Sequence, residues 1–224
     1  MITEAIPPLT VYRLARQPDP WAPPDWAYAG EDGTFGNRFD DPRGTYRVLY
    51  ASSSRLGCFL ETLARFRVDV EVRAALAEIS GPDDYVPLGV VPREWRSGRA
   101  IGAADAAGVF AAIGTAESLA TLRKALATTV VELGLDDLDA AAIRISFPRA
   151  FTQAVSRYVY DSGRFDGVCY RSRYGDDVEN WAVFEPFTAL HPRPPFNAVE
   201  LTDPDFIAAL AIHGLSVEEA GGED

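Results

Sequence analysis

Within the stretch 36–61, GNRFDDPRGTYRVLYASSSRLGCFLE, four side chains could act on a ligand: Arg38, Tyr46, Tyr50 and Glu61. A guanidinium grips a phosphate through paired hydrogen bonds. Tyr46 and Tyr50, four apart on a strand, point to one face and could stack on a ring. A glutamate at the border of a buried helix face can be half-buried and still reach a ligand. Together these groups suit a phosphorylated ligand with an aromatic ring and a sugar. Plainer alternatives stand beside each. Glu61 and Arg65 have the spacing of a helical surface ion pair, worth about 0.3–0.5 kcal/mol. The tyrosines could be core, and Arg38 could pair with Asp40 or Asp41.

The elements that must hold these groups are legible around them. Asp40, Asp41, Pro42 and Gly44 are turn formers, so Arg38 sits on a loop. Tyr46 to Ala51 reads as a strand, with Val48, Leu49 and Tyr50 as strand formers. Ser52, Ser53 and Ser54 offer N-caps for a helix whose Leu56, Phe59, Leu60 and Leu63 form a buried stripe. Glu61 lies one step off that stripe.

The rest of the chain is read in the same way. Leu9 to Ala15 reads as a strand, and residues 17–35, with Trp21 and Trp26, as an irregular wrapping segment. A helix is expected over Val68 to Ile79, with Val72, Ala75, Leu76 and Ile79 on one face. The turn Gly81-Pro82-Asp83-Asp84 should end it, and a strand should follow over Tyr85 to Val91. Trp95 to Gly114 reads as an Ala- and Gly-rich connector. Ser118 to Leu133 is the cleanest helix, with Leu119, Leu122, Leu126, Val130 and Leu133 as its stripe and Gly134 as its stop. Asp136 to Ser146 suits a short helix leading into a strand. Pro148 opens a helix carrying Phe151, Val155, Tyr158 and Val159. Val168 to Tyr170 and Trp181 to Phe184 read as buried strands, joined by a polar loop. Asp203 caps a last helix, about 203–213, docked by Phe206, Ile207 and Leu210. Gly221 to Asp224 should fray.

Composition narrows the function classes. The chain has 224 residues and a formal net charge of −12. That acidity argues against nucleic acid as the main partner. Lys124 is the only lysine, so the positive charge is nearly all arginine. Arg38, Arg43, Arg47 and Arg55 crowd one block and Arg164, Arg171 and Arg173 another, which suits an anionic ligand or reflects composition bias. Cys58 and Cys169 give no disulfide framework, and His191 and His213 make a zinc site unexpected. No apolar run is long enough to span a membrane, and MITEAIPPLT lacks the pattern of a secretory signal. A cytoplasmic protein of one domain, residues 1–224, is expected, with no membrane contact.

Ordered blocks of this chain resemble the RES-domain family, toxins of bacterial toxin–antitoxin pairs. The blocks are Thr10-Val11-Tyr12-Arg13; Arg38-Phe39; Val48-Leu49-Tyr50-Ala51; Glu61; Asp166 to Arg173; and Asn180-Trp181-Ala182-Val183-Phe184-Glu185. They cover about residues 10–187. Two departures stand out. Asp40 occupies a position where asparagine is common in the family, and about 110 residues separate Glu61 from Ser172. The extra length, about 97–139, is expected to be mainly helical and to cap the cleft, form a dimer contact or bind an antitoxin.

The resemblance implies an α+β, ADP-ribosyltransferase-like fold with two small sheets around an NAD cleft. It implies NAD+ as substrate, cleaved between nicotinamide and ribose, with inorganic phosphate as co-substrate and no permanently bound cofactor. Transfer of ADP-ribose to a protein, hydrolysis, and mere binding without turnover remain alternatives. In the transfer reaction Glu61 would stabilise the oxocarbenium-like ribose. Arg38 would hold the pyrophosphate or the nicotinamide-side phosphate. Tyr50, and with it Tyr46, would stack on or fence the nicotinamide. Ser172 and Asn180 would bond ribose, phosphate or each other, and Arg171 or Arg173 would receive inorganic phosphate. Glu185 offers a competing two-carboxylate glycosidase pairing with Glu61.

Overall fold

The computed structural model describes residues 1–79, 89–145 and 147–218. In chain order the elements open with β1 (Glu4–Ala5), β2 (Thr10–Arg16), β3 (Val48–Ser52), α1 (Arg55–Leu63) and α2 (Val70–Ile79). There follow β4 (Gly89–Val91), α3 (Arg93–Ser97), β5 (Arg99–Ala106), β6 (Phe110–Ala112), α4 (Ala116–Ala125) and α5 (Ala127–Glu132). The chain closes with α6 (Ala140–Arg144), α7 (Arg149–Asp161), β7 (Gly167–Arg171), β8 (Glu179–Phe184), β9 (Leu190–Ala198), α8 (Pro204–His213) and β10 (Leu215–Val217).

The fold is mixed α+β. An eight-stranded sheet runs in the order β1-β6-β7-β8-β3-β2-β5-β9, and β10 pairs with β4 in a separate two-stranded sheet. Within the large sheet β6 and β7 are parallel, and the other pairs are antiparallel. The expected two small sheets are thus one broad sheet and a small one. The reason lies in the stretch 97–139, which is not mainly helical. Arg99–Ala106 is a strand paired on both sides, with β2 and with β9. Its small residues Ala100, Ala104 and Ala106 are buried, where they allow close packing but show little of the β-branched signature of a strand.

Register sets which side chains share a face. Tyr50 lies opposite Ala182, and Asn180 lies opposite both Ser52 and Tyr170. Side chains alternate along strands, so Tyr50, Asn180 and Tyr170 project from the same face. Two groups of helices cover that face. On one side, Phe59, Leu60 and Leu63 of α1 pack with Phe206 and Ala209 of α8. On the other, Leu122, Val130, Ile143, Phe151 and Val155 of α4 to α7 pack with Tyr46, Val168 and Phe184. The opposite face is closed by Trp21, Phe110, Trp181 and Leu190.

Several local readings need correction. The helix expected over 118–133 starts at Ala116, capped by Thr115, and breaks at Leu126 into α4 and α5. The apolar stripe is continuous across that break, so periodicity could not reveal it. Among the described residues between α6 and α7 there is no strand. Tyr158 is partly exposed rather than buried, and Ile207 is exposed on the outer side of α8, whereas Phe206 docks it. The turn 81–84, the strand expected before Gly89, the side chains of Leu76 and Ile79, and residues 221–224 lie outside the described residues. Among the described residues no helix is long and apolar enough to cross a membrane.

Candidate active site

Between the two helical groups the sheet face is left uncovered, and there a cleft of about 480 Å³ opens. That is the size of a small-molecule site. Its floor is Tyr50, Ala51 and Ser52 of β3, with Tyr170 and Asn180 from the neighbouring strands; α1 supplies Cys58, Glu61 and Thr62. Arg13 comes from β2, Asn37 and Arg38 from the preceding loop, Arg149 from the start of α7, and Arg173 and Tyr174 from the β7–β8 turn.

Helix α1 is set close to the sheet. Ser54 caps it, accepting from the Gly57 amide. Gly57 has no alternative: a Cβ there would come within 2.2 Å of Ser52 Oγ and 2.8 Å of Val178 Cγ1. From the far side α8 braces it, with His213 Nε2 hydrogen-bonded to the Leu60 carbonyl at 2.8 Å and Arg55 paired to Asp203 and Asp205. Glu61 is consequently presented half-buried at the cleft wall. Its Oε1 accepts a 2.7 Å hydrogen bond from Asn180 Nδ2, and Asn180 is only 2% exposed. Arg65 is not its partner; that guanidinium lies over the Phe66 ring.

Facing Glu61 is a concentration of positive charge. Arg38 lies against the Phe39 and Tyr170 rings, 5.2 and 5.0 Å from their centroids. One of its terminal nitrogens donates to the Ile143 carbonyl, while its Nε is buried with no hydrogen-bond partner among the described residues. Arg13 donates from Nε to Pro20 O at 2.7 Å and from Nη1 to Tyr50 O at 2.8 Å. Burial pushes its guanidinium down to about 10, against the opposing pull of Cys58, Tyr50 and Asp40. Arg13, Arg38 and Arg149 form no ion pair among the described residues. For the half-buried Arg13 and Arg38 the lack of a counter-charge is costly, and an anionic ligand offsets that cost.

The tyrosine on the floor is fixed by its hydroxyl. Tyr50 OH donates to Asp40 Oδ1 at 2.8 Å and accepts from the Phe39 amide at 2.9 Å. Burial, reinforced by the Asp40 charge, holds that phenol well above its ordinary value, so it remains a donor. Burial likewise pushes the Cys58 thiol up to about 12, which disfavours the thiolate, and the thiol donates to the Tyr12 carbonyl. Among the described residues there is no group of three or more metal-ligating side chains.

The structure brings together Glu61, Arg38, Tyr50, Asn180 and Arg173 at one cleft. It places three other expected residues elsewhere. Tyr46 lies two residues before β3, stacked on Tyr160 with ring centroids 3.9 Å apart and bonded to Ser156 Oγ. Ser172 is buried in the β7–β8 turn, where its amide donates to Val178 O and its Oγ accepts from the Tyr174 amide. Arg171 is held outside by Glu179 and the Asp176 carbonyl. Glu185 is gripped by Arg47 and does not line the cleft, which removes the two-carboxylate pairing with Glu61. Sequence reasoning missed Arg13, Asn37 and Arg149. For Arg13 a signal existed: a charged residue inside the strand Thr10–Arg16 needs a polar reason to be there.

Three comparisons with known proteins bear on this arrangement. A family model described as the RES domain matches residues 10–206. Among solved structures, one from M. tuberculosis, described as the crystal structure of the MbcT–MbcA toxin–antitoxin complex, matches with a TM-score of 0.55 and 14% sequence identity. The match covers 95% of this chain and 92% of that one, and it shows a shared fold. No curated protein matches the chain.

Proposed function

The chain belongs to the RES domain family, and from that premise we propose that it cleaves NAD+ between nicotinamide and ribose and passes the ADP-ribose to inorganic phosphate. The observation that carries this reading is the Glu61–Asn180 pair sharing one cleft with Arg13, Arg38 and Arg149, which form no ion pair among the described residues. A dinucleotide needs cations for its diphosphate and a carboxylate for its reacting ribose, and this cleft offers both. The finer description of the fold as ADP-ribosyltransferase-like belongs to this reading, as does the role of a toxin restrained by a cognate antitoxin.

The chemistry follows from charge. As the glycosidic C–N bond breaks, its electron pair goes to the pyridinium nitrogen, and nicotinamide leaves neutral without help from an acid. The anomeric carbon becomes oxocarbenium-like, and a preorganised carboxylate beside it lowers the barrier. Asn180 occupies Oε1 of Glu61, which leaves Oε2 for the ribose. A phosphate oxygen then forms the new bond to the anomeric carbon, giving ADP-ribose phosphorylated on that ribose. Arg13 and Arg38 suit the diphosphate of the dinucleotide, whereas Arg149 and Arg173, nearer the opening loops, suit the incoming phosphate.

The test is nicotinamide release from NAD+ by the purified protein, with and without phosphate. Release that requires phosphate, with a new phosphate ester of ADP-ribose in the phosphorus spectrum, is expected. Phosphate-independent release with free ADP-ribose would make it a hydrolase. Label retained on protein would make it a protein modifier. Binding of ADP-ribose with no release would make it a binding module.

A further inference from the structure

Asp40 stands in a surrounding of donors only. It is 3% exposed and has no ion-pair partner among the described residues, yet three hydrogen bonds converge on it. Oδ2 accepts from the Asn37 amide at 2.8 Å and from Asn37 Nδ2 at 2.6 Å, and Oδ1 accepts from Tyr50 OH at 2.8 Å. Its oxygen also accepts from the Phe39 amide, so reversing the tyrosine's role toward Asp40 would make it accept twice and leave the hydroxyl hydrogen without its present acceptor. Three donors with no acceptor call for a carboxylate; an asparagine would turn an NH2 group toward one of them.

This network settles the orientation of Asn37. Its amide nitrogen must face the carboxylate, since its oxygen there would meet like charge. The carboxamide oxygen is therefore the outward end of a side chain that lines the cleft, and it has no hydrogen bond among the described residues. The loop beneath it is rigidly tied to α7: Gln153 Nε2 donates to the Asn37 carbonyl at 3.0 Å, and Arg149 donates to the Gly36 carbonyl. Four arginines and the hydroxyls of Ser52 and Thr62 also line the cleft, but the oxygen of Asn37 is the acceptor whose orientation the Asp40 carboxylate fixes.

We propose that Asn37, oriented by Asp40, is a specificity residue that accepts a hydrogen bond from the carboxamide NH2 of the nicotinamide group. Asn37 and Tyr50 share a single carboxylate, so a pyridine ring resting on Tyr50 brings its amide within reach of Asn37. The proposal rests on the NAD+-cleaving reading above. Its consequence is discrimination against nicotinic acid adenine dinucleotide, in which that NH2 is replaced by a charged oxygen. A site built to accept from a substrate N–H rejects the analogue that lacks it.

The experiment compares kcat/KM for the two dinucleotides in the wild-type protein, Asn37→Ala and Asp40→Asn, each with a melting curve. The wild type should prefer NAD+ by about tenfold or more. Asn37→Ala should lose most of that preference by losing turnover of NAD+ alone, and a folded Asp40→Asn should move the same way. Equal losses on both substrates would make Asn37 merely structural and overturn the proposal, as would a wild type that uses both equally. Asn37 is exposed, so its variant decides the matter if Asp40→Asn fails to fold. If no protein releases nicotinamide, the NAD+-cleaving reading fails. Equilibrium binding of the two dinucleotides then reads the same ratio, and equal affinities would end the specificity proposal too.

Discussion

At the scale of single residues, the cleft is built from side chains whose second contact fixes the first. Glu61 is held by Asn180, and Tyr50 is held by Asp40 and the Phe39 amide. Glu61→Gln keeps shape and removes charge. Turnover should fall by about 10²–10⁴, with the melting temperature nearly unchanged. A fully active variant would sink the mechanism, and an unfolded one would make Glu61 structural. Tyr50→Phe should be more harmful than ring stacking alone predicts. It leaves the Phe39 amide and an Asp40 oxygen without partners, at a cost of about 1–3 kcal/mol. A lower melting temperature together with reduced turnover is expected; a variant that melts like the wild type would show the hydroxyl to be dispensable.

At the scale of elements, Glu61 depends on α8, a helix remote in sequence. Phe206 is fully buried against Phe59 and Trp95, with centroids 5.6 and 6.2 Å away. Phe206→Ala should cost about 3–5 kcal/mol, which lowers the melting temperature by on the order of 10 °C. Nicotinamide release should then fall at temperatures below the transition, because α1 loses its brace. The loop that carries Arg38 is held by Asp41. Burial alone would raise that carboxyl. Hydrogen bonds from Thr45 Oγ1 and the Thr45 and Arg43 amides, with the Arg157 charge, outweigh burial and hold it below its ordinary value. The unfolded chain therefore binds the proton more readily. The stabilisation is complete above the ordinary carboxylate range, about pH 4, and is lost as pH falls through the lower folded value. Asp41→Asn should thus flatten the fall in melting temperature between pH 5 and the acid limit; an unchanged slope would assign acid lability to other groups.

At the scale of the whole molecule, a chain with net charge −12 gathers Arg13, Arg38, Arg149 and Arg173 around one opening. The acidic surroundings repel anions at long range, and the cleft attracts them only at short range. Added salt screens both, but the exposed Arg149 loses more than the half-buried Arg13. The KM for phosphate should therefore rise more steeply with ionic strength than the KM for NAD+. Parallel dependences would mean that both anions meet the same arginines. The stretch 97–139 also takes a different meaning at this scale. Its strand β5 joins β2 to β9, and Leu122 and Val130 of its helices are core. Its deletion should unfold the protein rather than only remove a docking surface.

Sequence alone determined the parts that short-range chemistry encodes. The capped helix Arg55–Leu63, the buried strands Val48–Ser52 and Glu179–Phe184, and the Asp203 cap of the last helix follow from period, propensity and hydroxyl or carboxylate caps. The candidate roles of Arg38, Tyr50 and Glu61 came from family resemblance added to those elements. Only the tertiary structure decided which polar groups converge. Arg13 reaches the cleft because β2 lies beside β3, and Arg149 because the start of α7 meets the loop at Gly36. Ser172 and Tyr46 are turned away by a tight turn and an aromatic stack. Alanine-rich β5 was invisible because burial between two strands, not intrinsic propensity, makes it a strand. Convergence of groups distant in sequence is fixed by strand order and packing, which no local pattern contains.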